Sequence, residues 1–175
     1  MCLKRDVLNA RISALCYLST RGFEDWRFEP GTFNSDSFAM ATRQMLLTPD
    51  ANGRCLIEDF KVLLLDNAPI HHAAVDVLDE LEQYVKVLFI PPYCYHLSPL
   101  DNGAFGWTVN FLKASENKHF GQRPIQEGLT AAFLAMPATA ARYCFHNCNY
   151  LFRPDNDSDS DSSDSDSSDS DSDDA

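Results

Sequence analysis

The runs Arg11–Leu18 (RISALCYL) and Phe23–Glu29 read as two strands, joined across an Arg21-Gly22 turn. Asn34–Ser37 then supplies several possible N-caps, and Phe38, Ala41, Met45 and Leu46 recur at helical spacing. That pattern predicts a helix ending before Thr48-Pro49-Asp50. Lys61–Leu65 is short and nearly continuously apolar, as expected of a strand covered on both faces. An amphipathic helix follows, with Ala74, Val77, Leu78, Leu81 and Val85 on one stripe and Asp76, Asp79, Glu80 and Glu82 on the solvated face. Val87–Ile90 reads as a second buried strand, stopped by Pro91-Pro92. The next helix turns Ala104, Phe105, Thr108, Val109 and Leu112 inward, and two more are expected near Ile125–Met136 and Ala138–Phe145. Strands alternating with helices from Lys61 onward predict parallel pairing in an α/β sheet. No internal repeat is seen.

Composition changes the picture at the C-terminus. The chain carries 26 acids against 14 bases, a net charge of −12, but 155–175 holds ten aspartates and no base. The remaining 16 acids and 14 bases nearly balance, so residues 1–153 read as one ordinary globular domain, large enough for a core. The segment 154–175 alternates Asp and Ser with almost nothing apolar. It cannot offset a backbone ordering cost of roughly 1–2 kcal/mol per residue, so it is expected to be a disordered acidic tail. Such a polyanion either solubilises the chain or competes for a nucleic-acid-binding surface. The longest apolar runs, Val62–Leu65 and Val87–Pro92, are too short to span a bilayer. No apolar stretch of signal-peptide type follows Met1, so the six cysteines (Cys2, Cys16, Cys55, Cys94, Cys144, Cys148) are read as free thiols in a reducing compartment. Cys144, His146 and Cys148 invite a zinc reading, yet no second ligand pair is evident. Helical spacing, which puts both thiols on one buried face, is the preferred account.

Two carboxylates stand where an α/β sheet keeps its site. Asp66 ends the strand VLLLD, and Asp101 follows the next strand through PPYCYHLSPL at the start of a helix. Neighbouring parallel strands would bring both to one edge, where hard oxygen ligands suit Mg²⁺. Equally, Asp66 would cap the Asn67-Ala68-Pro69 turn and Asp101 a helix. Composition alone leaves both open.

The strings LLLDNAPIHHA (63–73) and FIPPYCYHLSPLDNGAFGWTVNFLK (89–113) resemble the DDE transposase catalytic domains of the mariner and pogo/tigger lineages. Asp66, Asn67, Ala68, Pro69 and His71 stand in the first motif, and Pro91, Pro92, Tyr93, His96, Pro99, Leu100 and Asp101 in the second. The 34 residues between Asp66 and Asp101 are a mariner-type spacing, and the resemblance covers about residues 10–120. It implies a ribonuclease-H-like (retroviral-integrase-like) fold whose three carboxylates bind two Mg²⁺ (or Mn²⁺) ions to cut and rejoin DNA. By that resemblance Asp66 and Asp101 are catalytic and metal-binding, and Asn67 and His71 order the first loop. His71 is also readable as a plain helix-start residue, and His72 and His96 are weak metal candidates. Lys113, Lys118 and Arg123 are candidate phosphate contacts. DNA is the implied partner, a homodimer is allowed, and the nucleus is the location by analogy. Neither a membrane nor a small-molecule substrate is implied.

One element of the family pattern is missing. Its first aspartate lies on a strand upstream of 11–18, which is central in the sheet order 3-2-1-4-5. Asp6 follows Leu3-Lys4-Arg5 and ends no apolar strand, and Glu24-Asp25 comes too late in the order. The strands at 11–18 and 62–66 are therefore expected to lack the partner between them. No helix-turn-helix reading domain is seen. The chain reads as an N-terminally truncated transposase domain without nuclease activity. The alternative reading is a domesticated interaction protein whose acidic tail binds basic partners or masks a DNA-binding surface.

Overall fold

A computed structural model describes residues 11–151. Cys2, Asp6, the boundary at Pro154 and the acidic tail lie outside the described residues. Strand β1 (Ile12–Ser19) and strand β2 (Gly22–Pro30) form an antiparallel hairpin. Its turn needs Gly22, at φ 139°, a conformation that L side chains rarely adopt. From β2, Phe23, Trp26 and Phe28 reach the ring of Phe133, at centroid separations of 4.1, 5.4 and 6.4 Å.

Helix α1 (Ser35–Thr42) starts at the Asn34 cap. The Asn34 side chain accepts from Ser37 N–H at 2.8 Å, and Asn34 N–H donates to Ser37 Oγ at 3.0 Å, a reciprocal capping box. A widened turn over Arg43–Leu47 extends the helix and keeps Met45 and Leu46 buried, as the spacing requires. Strands β3 (Val62–Leu65) and β4 (Lys86–Phe89) pair in parallel, with helices α2 (Pro69–Ala73) and α3 (Val75–Leu81) between them in sequence. Phe38, Ile57, Val77 and Leu81, all at most 1% exposed, centre the first core.

Three expectations need correction here. The helix expected from Ala74 to Val85 has an extra piece before it: α2 and α3 meet at Ala74, whose φ −89° and ψ 48° are not helical. His71 and His72 are tied back to Asp66 and Asn67, and this bonding, invisible to periodicity, sets the break. Glu80 is not simply solvated, because Arg43 binds its carboxylate with three hydrogen bonds of 2.8–3.0 Å. Both side chains are about 40% exposed, so the pair adds little stability. Nor are the parallel strands covered on both faces. Leu63, Leu65, Val87 and Phe89 turn to the first core, which leaves Val62 and Leu88 on an open face, 47% and 38% exposed.

Helices α4 (Phe105–Lys113), α5 (Ile125–Ala135) and α6 (Ala138–Asn147) complete the described chain. Ala104 and Thr108 are buried as expected, but Phe105 and Val109 are 42% and 46% exposed. Phe105 borders an open cavity, and only the row through Ala104 and Thr108 faces packed neighbours. Cys144 and Cys148 are each 2% exposed. Cys144 Sγ donates to the carbonyl of Ala140 at 3.2 Å, in keeping with the packing role preferred above. Gly103 lies so close that an added Cβ would meet Cys144 Sγ at 2.5 Å. Gly103→Ala is therefore expected to cost about 1–3 kcal/mol. Thermal unfolding checks this, and adding Cys144→Ala should recover part of the loss.

The four described strands form two separate sheets, β1 with β2 and β3 with β4. β1 and β3 have no strand between them among the described residues. No described helix is long and apolar enough to cross a membrane.

Candidate active site

Asp66 stands one residue past β3, and Asp101 lies in a widened turn over Leu100–Ala104, beyond β4. Because the strands are parallel, both residues come to the same end of their sheet and line one cavity of about 670 Å³. His71 and Tyr150 line it too, and most of its wall is apolar.

The first loop is tightly ordered. Asp66 Oδ1 lies 2.7 Å from His71 Nδ1 and accepts from Ala68 N–H at 3.2 Å. His71 is 12% exposed, with its ring 4.4 Å from that of Phe38, so the core fixes the imidazole that grips the carboxylate. Asn67 acts through the other histidine: its Oδ1 is 2.6 Å from His72 Nε2, and the His72 ring stacks on Phe89 at 4.1 Å. Asn67 and His71 thus each make a contact of their own within this loop.

The His71 hydrogen bond and charge, with the Ala68 amide, hold the Asp66 carboxyl below its ordinary value of 3.8, against the opposing effect of burial. Burial lowers the His71 pKa, but the Asp66 contacts outweigh it and leave it above 6.5. The pair is strongest with His71 protonated and Asp66 ionised. Its histidine contribution is complete below 6.5 and fades as pH rises through the raised value. Its aspartate contribution is complete above 3.8 and fades as pH falls through the lowered one. A shallow stability maximum between those pH values is expected, small because Asp66 is 62% exposed. Melting temperature against pH checks it, and Asp66→Asn should flatten the curve.

The second loop is pinned from afar. Asp101 N–H donates to Ser98 Oγ at 3.3 Å, while its carboxylate has no partner among the described residues. Asn102 Nδ2 donates to the carbonyls of His96 and Asn147 at 3.1 and 3.4 Å, and Tyr150 Oη donates to the carbonyl of Leu97 at 2.9 Å. Asn102 and Tyr150 thus clamp this loop to the end of α6. Sequence reasoning missed them, since nothing local links positions so far apart in the chain. Tyr93 and Tyr95, 97% and 74% exposed, stand out from the same loop, and Tyr93 takes an uncommon positive φ of 63°.

The other candidates lie elsewhere. Lys113, Lys118 and Arg123 are exposed and do not line the cavity, and Arg123 is paired with Glu127 at 3.3 Å. His96 lends only its carbonyl to the Asn102 clamp. Glu24, within β2, is held by the Ser19 hydroxyl and by Arg21. No three His, Cys, Asp or Glu side chains gather into a metal-binding group among the described residues.

The hairpin and the parallel pair, with no strand between them among the described residues, match a ribonuclease-H-like fold. The particular likeness is to the mariner transposase catalytic domain. The chain aligns with that domain of Mos1 at a TM-score of 0.52 and 18% identity, over 77% of this chain and 67% of the other. It aligns with Mos1 in its strand transfer complex at 0.57 and 20% identity, and in the paired-end complex with Mn at 0.54 and 18%. In both complexes 77% of this chain is covered, but only 38% and 40% of the Mos1 chain. At these identities the likeness establishes the fold. No family profile and no curated protein sequence matches the chain.

Proposed function

We propose that the chain is part of a DDE transposase nuclease domain that keeps the second and third carboxylates, Asp66 and Asp101, and does not cut DNA by itself. The observation that carries this reading is the shared cavity: two carboxylates beyond neighbouring parallel strands, within a mariner-type fold. DNA is the partner by analogy, since the similar structures are a strand transfer complex and a paired-end complex with a left transposon end. A homodimer and a nuclear location follow from the same analogy. Lys113, Lys118 and Arg123 would contact phosphate away from the cavity.

The likeness supports divalent-metal use in general, but the donor set here fits a two-ion centre poorly. Two ions about 3.5–4 Å apart need carboxylates around both. The cavity wall holds Asp66, already committed to His71, Asp101, and Glu24, which is tied to Ser19 and Arg21, and no three such donors gather among the described residues. A manganese titration followed by electron paramagnetic resonance tests this. We expect at most one weakly bound Mn²⁺, removed by Asp101→Asn. Two tightly held equivalents would overturn the reading of an incomplete site.

A further inference from the structure

We propose that Tyr93 and Tyr95 form a stacking platform for unpaired bases of a single DNA strand, set beside the candidate active site. The two rings are 97% and 74% exposed, on the loop that leads from β4 into Asp101. Tyr93 stands where a tyrosine is costly. Cys94 N–H donates to the Pro91 carbonyl at 3.1 Å, which closes a β-turn with Pro92 and Tyr93 at its centre. Proline suits the first central position, but a positive φ at the second ordinarily calls for Gly or Asn. Tyr93 adopts φ 63° there, and its ring stays in solvent with no packing in return. A bulky side chain kept in a strained conformation without burial is a candidate for function.

The frame beneath the rings is fixed. Leu97 N–H donates to the Cys94 carbonyl and Ser98 N–H to that of Tyr95, both at 2.9 Å, in a single tight turn over Tyr95–Leu97. Tyr150 and Asn102 hold the carbonyls of Leu97 and His96, at 2.9 and 3.1 Å. The Tyr95 ring meets that of His96 edge-on, with centroids 6.2 Å apart. A preorganised backbone leaves less freedom to lose on binding, and each tyrosine adds a flat ring with only two rotatable bonds.

Charge and shape select the occupant. The cavity at the end of this loop carries Glu24, Asp66 and Asp101, and no Lys or Arg lines it. A phosphate gains nothing beside such a wall, whereas a base is neutral and offers a π-face to each ring. Neither tyrosine lines the cavity, and at their exposure neither ring sits in a socket that an apolar side chain of a protein could fill. The platform deepens the proposed function, and it rests on that reading of DNA as the partner.

Fluorescence anisotropy on the full chain tests it. The probe is a labelled single strand of about 12 thymidines, compared with an abasic strand of the same length and charge. The abasic strand is expected to bind more weakly, by about fivefold or more, as lost stacking requires. Tyr93→Asn and Tyr95→Ala should each weaken binding of the thymidine strand by about fivefold or more and leave the abasic strand unaffected. Tyr93→Phe and Tyr95→Phe, which keep the rings, should bind as the unaltered chain does. Because Asn tolerates a positive φ, Tyr93→Asn should melt no lower than the unaltered chain, which separates lost stacking from lost folding. Equal binding of the two strands, binding of duplex DNA alone, or unchanged binding by both variants would overturn the platform and leave DNA standing as the partner. No binding of either strand or of duplex would overturn both.

Discussion

Phe38→Ala is expected to cost about 3–5 kcal/mol, the usual range for removing a buried ring. A domain of this size is stable by only about 5–15 kcal/mol. Phe38 is 1% exposed and packs in the first core among Tyr17, Ala41 and Leu46. The loss should fall high in the range, because Phe38 also walls the open cavity, and the space it leaves would join that cavity instead of collapsing. A second effect separates this substitution from other core truncations. The Phe38 ring supports His71 at 4.4 Å, and His71 grips Asp66. The variant should therefore lose the pH dependence of melting assigned to that pair, whereas Leu81→Ala should keep it. Guanidinium unfolding gives the first quantity and melting against pH the second. A loss under about 1 kcal/mol would contradict the packing of α1 against α2.

Much of this fold was legible because local and tertiary demands agree. The hairpin, the Asn34 cap and the burial of Phe38, Ala41, Met45 and Leu46 follow from turn chemistry and spacing alone. The positions of Asp66 and Asp101 were legible because parallel strands put their following loops at one sheet end. What escaped depends on contacts between distant residues. Nothing in Ala74 marks a break; the histidines beside it are held to Asp66 and Asn67. Phe105 and Val109 lie on the apolar stripe of α4, but that side of the helix meets open space and not a neighbour. The Asn102 and Tyr150 clamp joins positions with no shared periodicity. Asn67 was placed in the right loop, but its actual partner, His72, was not foreseen.

The central proposal is that the two carboxylates, with no third gathered beside them among the described residues, do not make a nuclease. Its consequence is an all-or-none effect. Enzymes lower reaction barriers by roughly 8–23 kcal/mol, and a cavity that cannot hold its ions around the scissile phosphate forfeits that stabilisation. Asp66 also has to leave His71 before binding an ion with the oxygen now in contact at 2.7 Å. The decisive measurement is a gel assay of the full chain with duplex DNA and Mn²⁺, run beside Asp66→Ala. The account predicts no strand breaks above background in either sample. Mn²⁺-dependent cutting by the unaltered chain that disappears in Asp66→Ala would contradict it.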